Sequence, residues 1–252
     1  VRIYIVLYII LFLNGITFGQ GKLELVEKNM KSKDDSSNNT EQFIDLFNLL
    51  SSFADTNSDL DYGLKRITKH PYYKDTNTGN YIYFANDSIT QTERLEISNR
   101  FIFENTSLYG NHLNVGIRSI GGLSLEVDYL QLWENRTNAD YNTLAIATGL
   151  FKYHFIREER IDLWAGLGKN YIAGEIDDWG YVIATGGELF FMNPLSLEIN
   201  LQLAATDNDN LYTVTTLLNC HRKNWVFSAG LEYFWIGDIP FRTFSVSLGT
   251  FL

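Results

Sequence analysis

The chain has 252 residues, a formal net charge of −10, 15% aromatic residues and one cysteine. Its length suits one medium domain or a barrel with an appendage. The acidic balance, with no basic block longer than Arg222-Lys223, excludes a surface that tracks a phosphate backbone, so nucleic acid is not an expected partner.

Residues 1–20 read VRIYIVLYIILFLNGITFGQ. Arg2 precedes an apolar run over residues 3–13, and Thr17 and Gly19 occupy the −3 and −1 places of a cleavage site before Gln20. The pattern predicts a signal peptide over residues 1–19 and export of the remainder. Residues 20–93 then form an N-terminal extension. Its first part, 21–40, is polar and charge-rich and predicts a flexible lead-in. Phe43, Ile44, Phe47 and Leu50 recur at helical spacing behind a Thr40 N-cap, predicting an amphipathic helix near 41–54. Residues 55–93 carry turn signals around the aromatic run 81–84, which predicts irregular chain with one short strand.

From Arg94 the texture changes to short alternating segments separated by turn chemistry. Ten strands are predicted: 94–108, 111–119, 122–133, 142–155, 160–170, 180–191, 194–205, 211–221, 224–235 and 240–252. In 195–203, Leu195, Leu197, Ile199, Leu201 and Leu203 share one face, while Ser196, Glu198, Asn200 and Gln202 share the other. In 225–235, Trp225, Phe227, Ala229, Leu231, Tyr233 and Trp235 oppose Ser228, Gly230 and Glu232. After residue 20 no apolar run approaches the ~18 residues of a membrane-spanning helix. A barrel is compatible with this, because its lipid-facing residues alternate with polar ones.

Alternation alone does not say which face is inside. Trp225 and Trp235 lie about 33 Å apart along one strand face, or roughly 25 Å of membrane normal once the strand is tilted, which matches the band between two aromatic girdles. Trp133 and Trp179 also fall near strand ends, where interfacial aromatics sit. Polar connections follow strands three, five and seven, and tight ones follow strands two, six and eight. Long outer loops and short periplasmic turns are the barrel pattern, with both termini periplasmic when the strand count is even. The connection Tyr109-Gly110-Asn111 is short where that pattern wants a long one. With this orientation Arg118, Glu126, Asp128, Asp162, Glu188, Glu198 and Glu232 form a lumenal polar network. Arg118, Lys152 and Arg242 are the expected counter-charges, outnumbered by acids, so water or a bound cation would cover the difference.

Few residues of the sequence point to chemistry. His70, His112, His154 and His221 form no close metal pair, and Cys220 alone allows neither a disulfide nor a zinc knuckle. Acidic stretches such as Asp207-Asn208-Asp209-Asn210 match no calcium loop and read as solvated turns. No catalytic residue, metal or cofactor is expected.

Residues 94–252 resemble small bacterial outer-membrane β-barrel proteins. The carriers are the alternation just described and a last strand with Phe244, Val246, Leu248 and Leu252 on alternate positions. Phe251 is penultimate, whereas such barrels usually end on an aromatic. The resemblance implies an all-β, antiparallel up-and-down transmembrane barrel of about 10 strands (8–12). It further implies a Gram-negative outer membrane, lipid as the surrounding partner and the barrel-assembly machinery during biogenesis. The expected function is non-enzymatic: a structural, adhesive or narrow, porin-like pore protein. Two other readings stay open. One is an outer-membrane lipid hydrolase (esterase or deacylase) using Ser107, His112 and Glu104; the other is a soluble periplasmic barrel that binds an apolar ligand.

Overall fold

A computed structural model describes residues 21–32, 66–82, 90–135, 141–174, 176–206 and 209–252. The expected signal peptide and the expected helix near 41–54 lie outside the described residues.

The described chain begins with α1 (Lys22–Ser32) and a small sheet of β1 (Arg66–Thr68), β2 (Tyr81–Ile82) and β3 (Thr90–Gln91). Ten long strands follow: β4 (Glu93–Phe103), β5 (Leu108–Ser119), β6 (Leu123–Asn135), β7 (Tyr141–Arg157), β8 (Ile161–Ala173), β9 (Asp178–Met192), β10 (Leu195–Thr206), β11 (Asn210–Arg222), β12 (Trp225–Ile236) and β13 (Ile239–Phe251). Each pairs antiparallel with the next, and β13 pairs with β4 to close the barrel. Closure leaves no strand edge unpaired, which a two-faced sheet of this kind requires.

The alternating faces sort in one sense. Leu125, Val127, Phe151 and Phe227 point outward and are 52–55% exposed, whereas Asp162 and Glu232 point inward and are 2% and 1% exposed. A soluble barrel would have the reverse arrangement, so the reading of a soluble protein with an apolar lumen fails.

The first hairpin differs from the sequence expectation. Its turn lies at 104–107, where the Asn105 side chain accepts hydrogen bonds from the backbone N–H groups of Ser107 and Leu108. Gly110 is inside β5. A Cβ there would come within 2.6 Å of the Gln131 carbonyl oxygen, so this glycine permits close strand approach instead of making the turn.

Residues 22–32 of the polar lead-in are helical, where a flexible segment was the expectation. Leu23, Val26 and Met30 form a narrow helical stripe, and all three are fully buried. They cover the barrel end at which β4, β6, β8, β10 and β12 finish, against an inward-facing cluster that includes Ile102, Leu132, Leu144, Ile172, Phe234 and Phe241. The Glu134 carboxylate, itself fully buried, accepts hydrogen bonds from the N–H groups of Gly21, Lys22 and Leu23 at 2.8–3.0 Å. A carboxylate satisfies the free donors of a helix N-terminus and suits its positive dipole end. Lys22 Nζ adds an ion pair to Glu104 at 2.6 Å.

The opposite end, with the tight turns 120–122, 158–160, 193–194 and 223–224, is filled by residues 66–82. Gly79 N–H donates to the Glu159 carbonyl at 2.6 Å, and the Tyr72 hydroxyl donates to the Leu195 carbonyl at 2.6 Å. Burial, with Glu188 nearby, pushes the Tyr72 phenol up to about 12, so it keeps the proton it donates. The N-terminal extension therefore contacts both ends of the barrel.

Replacing Glu134 with Ala should cost about 1–3 kcal/mol, because the buried Leu23 N–H and the part-buried N–H groups of Gly21 and Lys22 lose their acceptor. We expect faster protease cleavage within α1 of this variant in limited digestion, with the heat-dependent gel shift of the folded barrel retained.

Candidate lumenal site

Along β6 the inward-facing residues are Ser124, Glu126, Asp128, Leu130, Leu132 and Glu134, so one strand carries a polar row that becomes apolar toward α1. The same division holds around the ring. The lumen has a hydrocarbon-filled half beneath α1 and a polar half above the tight turns, with a cavity of about 180 Å³.

Three clusters make up the polar half. In the first, Arg100 Nε lies 2.9 Å from Glu232, and His112 bridges Asp128 at 2.5 Å and Glu232 at 3.0 Å. Lys152 pairs nearby with Glu126 at 2.5 Å and lies 3.8 Å from the Trp164 ring centroid. The second is built on Asp162, which takes Arg118 and Asn80 on one oxygen and His154 on the other; Glu96 joins through Arg94 at 2.6 Å and Arg118 at 3.1 Å. In the third, Glu188 accepts from Ser196 at 2.5 Å, and Asn219 links it to Glu198. His221 lies 2.8 Å from Ser196 Oγ. Asn80 touches both Asp162 and Glu188, so the β1–β3 plug ties the second cluster to the third.

All seven residues named from sequence for the lumen, Arg118, Glu126, Asp128, Asp162, Glu188, Glu198 and Glu232, face inward and line the cavity. The expected counter-charges are only partly in place. Arg118 and Lys152 are in the lumen, but Arg242 is exposed and offers its backbone N–H to Glu104, because it sits on the outward parity of β13. Arg94 and Arg100, on the inward parity of β4, supply the missing positive charge. Both could have been found by extending to β4 the alternation test applied to β10 and β12.

The aromatics also have definite places. Trp179, Trp225 and Trp235 are outward and 60%, 49% and 36% exposed; Trp133 is half-buried and stacks on Tyr109. Trp225 lies at the tight-turn end, and the other three lie at the α1 end. The residues considered for a rim hydrolase do not assemble. Glu104 pairs with Lys22, and His112 is enclosed by Arg100, Asp128 and Glu232, which leaves Ser107 without its base.

No protein-family profile matches the sequence, and no curated protein does. Solved structures do match. The KdgM porin is 12% identical over 62% of this chain and 98% of its own, with a TM-score of 0.39. The Yersinia pestis outer membrane protein Ail, solved in a phospholipid bilayer nanodisc, is 12% identical over 63% of this chain and 99% of its own, with a TM-score of 0.37. Neisserial surface protein A is 13% identical over 64% of this chain and 97% of its own, with a TM-score of 0.31. The functional reading comes from this chain's own surfaces.

Arg100→Ala leaves the Glu232 carboxylate buried with only His112 as a cationic partner. Truncating one side of a buried ion pair costs about 3–5 kcal/mol, so the urea midpoint of the folded barrel should fall clearly. The corresponding change at exposed Arg242 should leave the unfolding free energy within about 0.5 kcal/mol of the parent.

Proposed function

We propose that this chain is an integral outer-membrane β-barrel, exported through its N-terminal signal, with a structural or adhesive role and a lumen occluded by its own N-terminal residues. One observation carries the reading. The outer surface bears Leu125, Val127, Phe151, Leu201, Phe227 and Val246 at 44–55% exposure, while carboxylates fill the interior. In water such a surface far exceeds the apolar patches of soluble monomers; in a bilayer it meets hydrocarbon.

Trp133, Trp179 and Trp235 at one end and Trp225 at the other serve as interfacial anchors in this reading, with outer-membrane lipid as the main partner. The barrel-assembly machinery would insert it. In this reading the barrel end opposite the tight turns faces the outside, which places α1 on the outer side.

A narrow, cation-preferring pore is the second reading, favoured by the excess of carboxylates in the lumen. Two features oppose it: Leu23, Val26 and Met30 seal one mouth, and the 66–82 segment fills the other.

The full chain reconstituted in planar bilayers should show heat-modifiable, carbonate-resistant insertion without conductance steps. Regular cation-selective steps would replace the occluded reading with the pore. Val127→Arg, near the middle of an outward strand face, should lower folding stability in lipid by about 2–4 kcal/mol. An unchanged stability in lipid vesicles would argue against hydrocarbon at that face.

A further inference from the structure

Three lumenal histidines have distinct surroundings. Both ring nitrogens of His112 are taken by carboxylates. In the His221 cluster, Ser196 and Glu188 converge on the same nitrogen, Nε2. Only His154 divides its two nitrogens between a hydroxyl and an acid: Nε2 lies 3.0 Å from Ser124 Oγ, and Nδ1 lies 2.6 Å from Asp162 Oδ1. A carboxylate can only accept, so in the neutral imidazole Nδ1 carries the proton toward Asp162 and Nε2 is left to accept from the serine hydroxyl. Asp162 is held in turn by Arg118 and Asn80.

We propose that Ser124, His154 and Asp162 form a hydrolytic site for small acyl esters inside the barrel. The geometry matches what acyl transfer needs of a nucleophile, a base and an orienting acid. Ser124 is half-buried and lines the lumenal cavity, whereas His154 and Asp162 are 1% and 2% exposed. Two cations flank the nucleophile. Arg118 on β5 and Lys152 on β7 are its direct cross-strand partners, and both are pinned by carboxylates. Fixed positive charges beside a serine can stabilise the oxyanion of a tetrahedral intermediate.

The reaction balances without a co-reactant other than water. Ser124 Oγ bonds to the acyl carbon as its proton passes to His154 Nε2. The ester C–O bond then breaks, and Nε2 returns the proton to the departing alcohol. Water adds to the acyl-serine by the same route, releasing the carboxylic acid and restoring Ser124. Asp162 is a positioning residue. The cavity of about 180 Å³ sets the substrate class: a void of ~150 Å³ admits benzene, so short acyl groups fit and a lipid acyl chain does not, and a small ester reaches Ser124 when the 66–82 segment opens locally at its mouth.

The test uses the folded full chain in detergent, with p-nitrophenyl acetate as substrate and methanesulfonyl fluoride as a serine-directed probe. We expect hydrolysis at least about 100-fold faster than in Ser124→Ala, and a sulfonyl adduct mapped to Ser124 that disappears in His154→Gln. Ser196→Ala should retain both. Asp162→Asn should lower kcat while leaving KM unchanged. Equal rates in the parent and Ser124→Ala, with both showing the gel shift of folded barrel, would overturn the proposal; so would an adduct confined to other residues. A barrel that inserts, stays silent and hydrolyses nothing keeps the occluded-barrel reading and loses only this site.

Discussion

Every feature of this molecule depends on a two-sided strand in a closed ring. The long strands carry hydrocarbon on one side and, toward the tight turns, charged or hydrogen-bonding side chains on the other. A charged side chain tolerates the interior only when it is paired and hydrogen-bonded, and an apolar exterior is stable only where water is absent. Pairing of β13 with β4 meets the backbone's own requirement. The side chains then follow: parity sends Leu125 and Val127 out, and Ser124, Glu126 and Asp128 in.

The interior is itself divided. Toward α1 the lumen is packed like a small soluble core, and toward the tight turns it is a network of ion pairs. The boundary lies along single strands, between Asp128 and Leu130 on β6, so the same β-ladder supports both environments. Each half is closed by the part of the N-terminal extension whose chemistry suits it. The stripe of Leu23, Val26 and Met30 meets the apolar half, and Asn80 with Tyr81 meets the charged half, where Tyr81 lies close to Arg118 and to the His154 ring.

Most of the barrel was legible in the sequence because its signal is local. The ten strand windows, the Glu-bearing faces of β10 and β12 and the tight turns at 120–122 and 193–194 follow from period-two patterning and turn residues. The misses have physical reasons. Gly110 looks like a turn residue, yet it is a glycine of close packing. The three apolar residues of α1 are diluted by charged neighbours, and their burial depends on a barrel mouth and on Glu134, more than a hundred residues away. Arg94 and Arg100 sit in the first strand, whose expected window, 94–108, runs through the turn at 104–107 and blurs its alternation. Ser124, His154 and Asp162 were out of reach because cross-strand register brings them together. That register places Ser124 opposite Lys152 and shifts by a residue between His154 and Ile156, bringing Arg157 opposite Asp162.

The direction in which the strand faces look can be measured residue by residue. In a Cys220→Ser background, single cysteines along β12 at positions 227 to 231 would carry nitroxide labels in lipid vesicles, with collision rates read against dissolved oxygen and a water-soluble nickel complex. Labels at 227, 229 and 231 should favour oxygen, and those at 228 and 230 should not, giving a two-residue oscillation. A flat profile, or nickel access at the leucine and phenylalanine positions, would contradict a hydrocarbon-facing barrel.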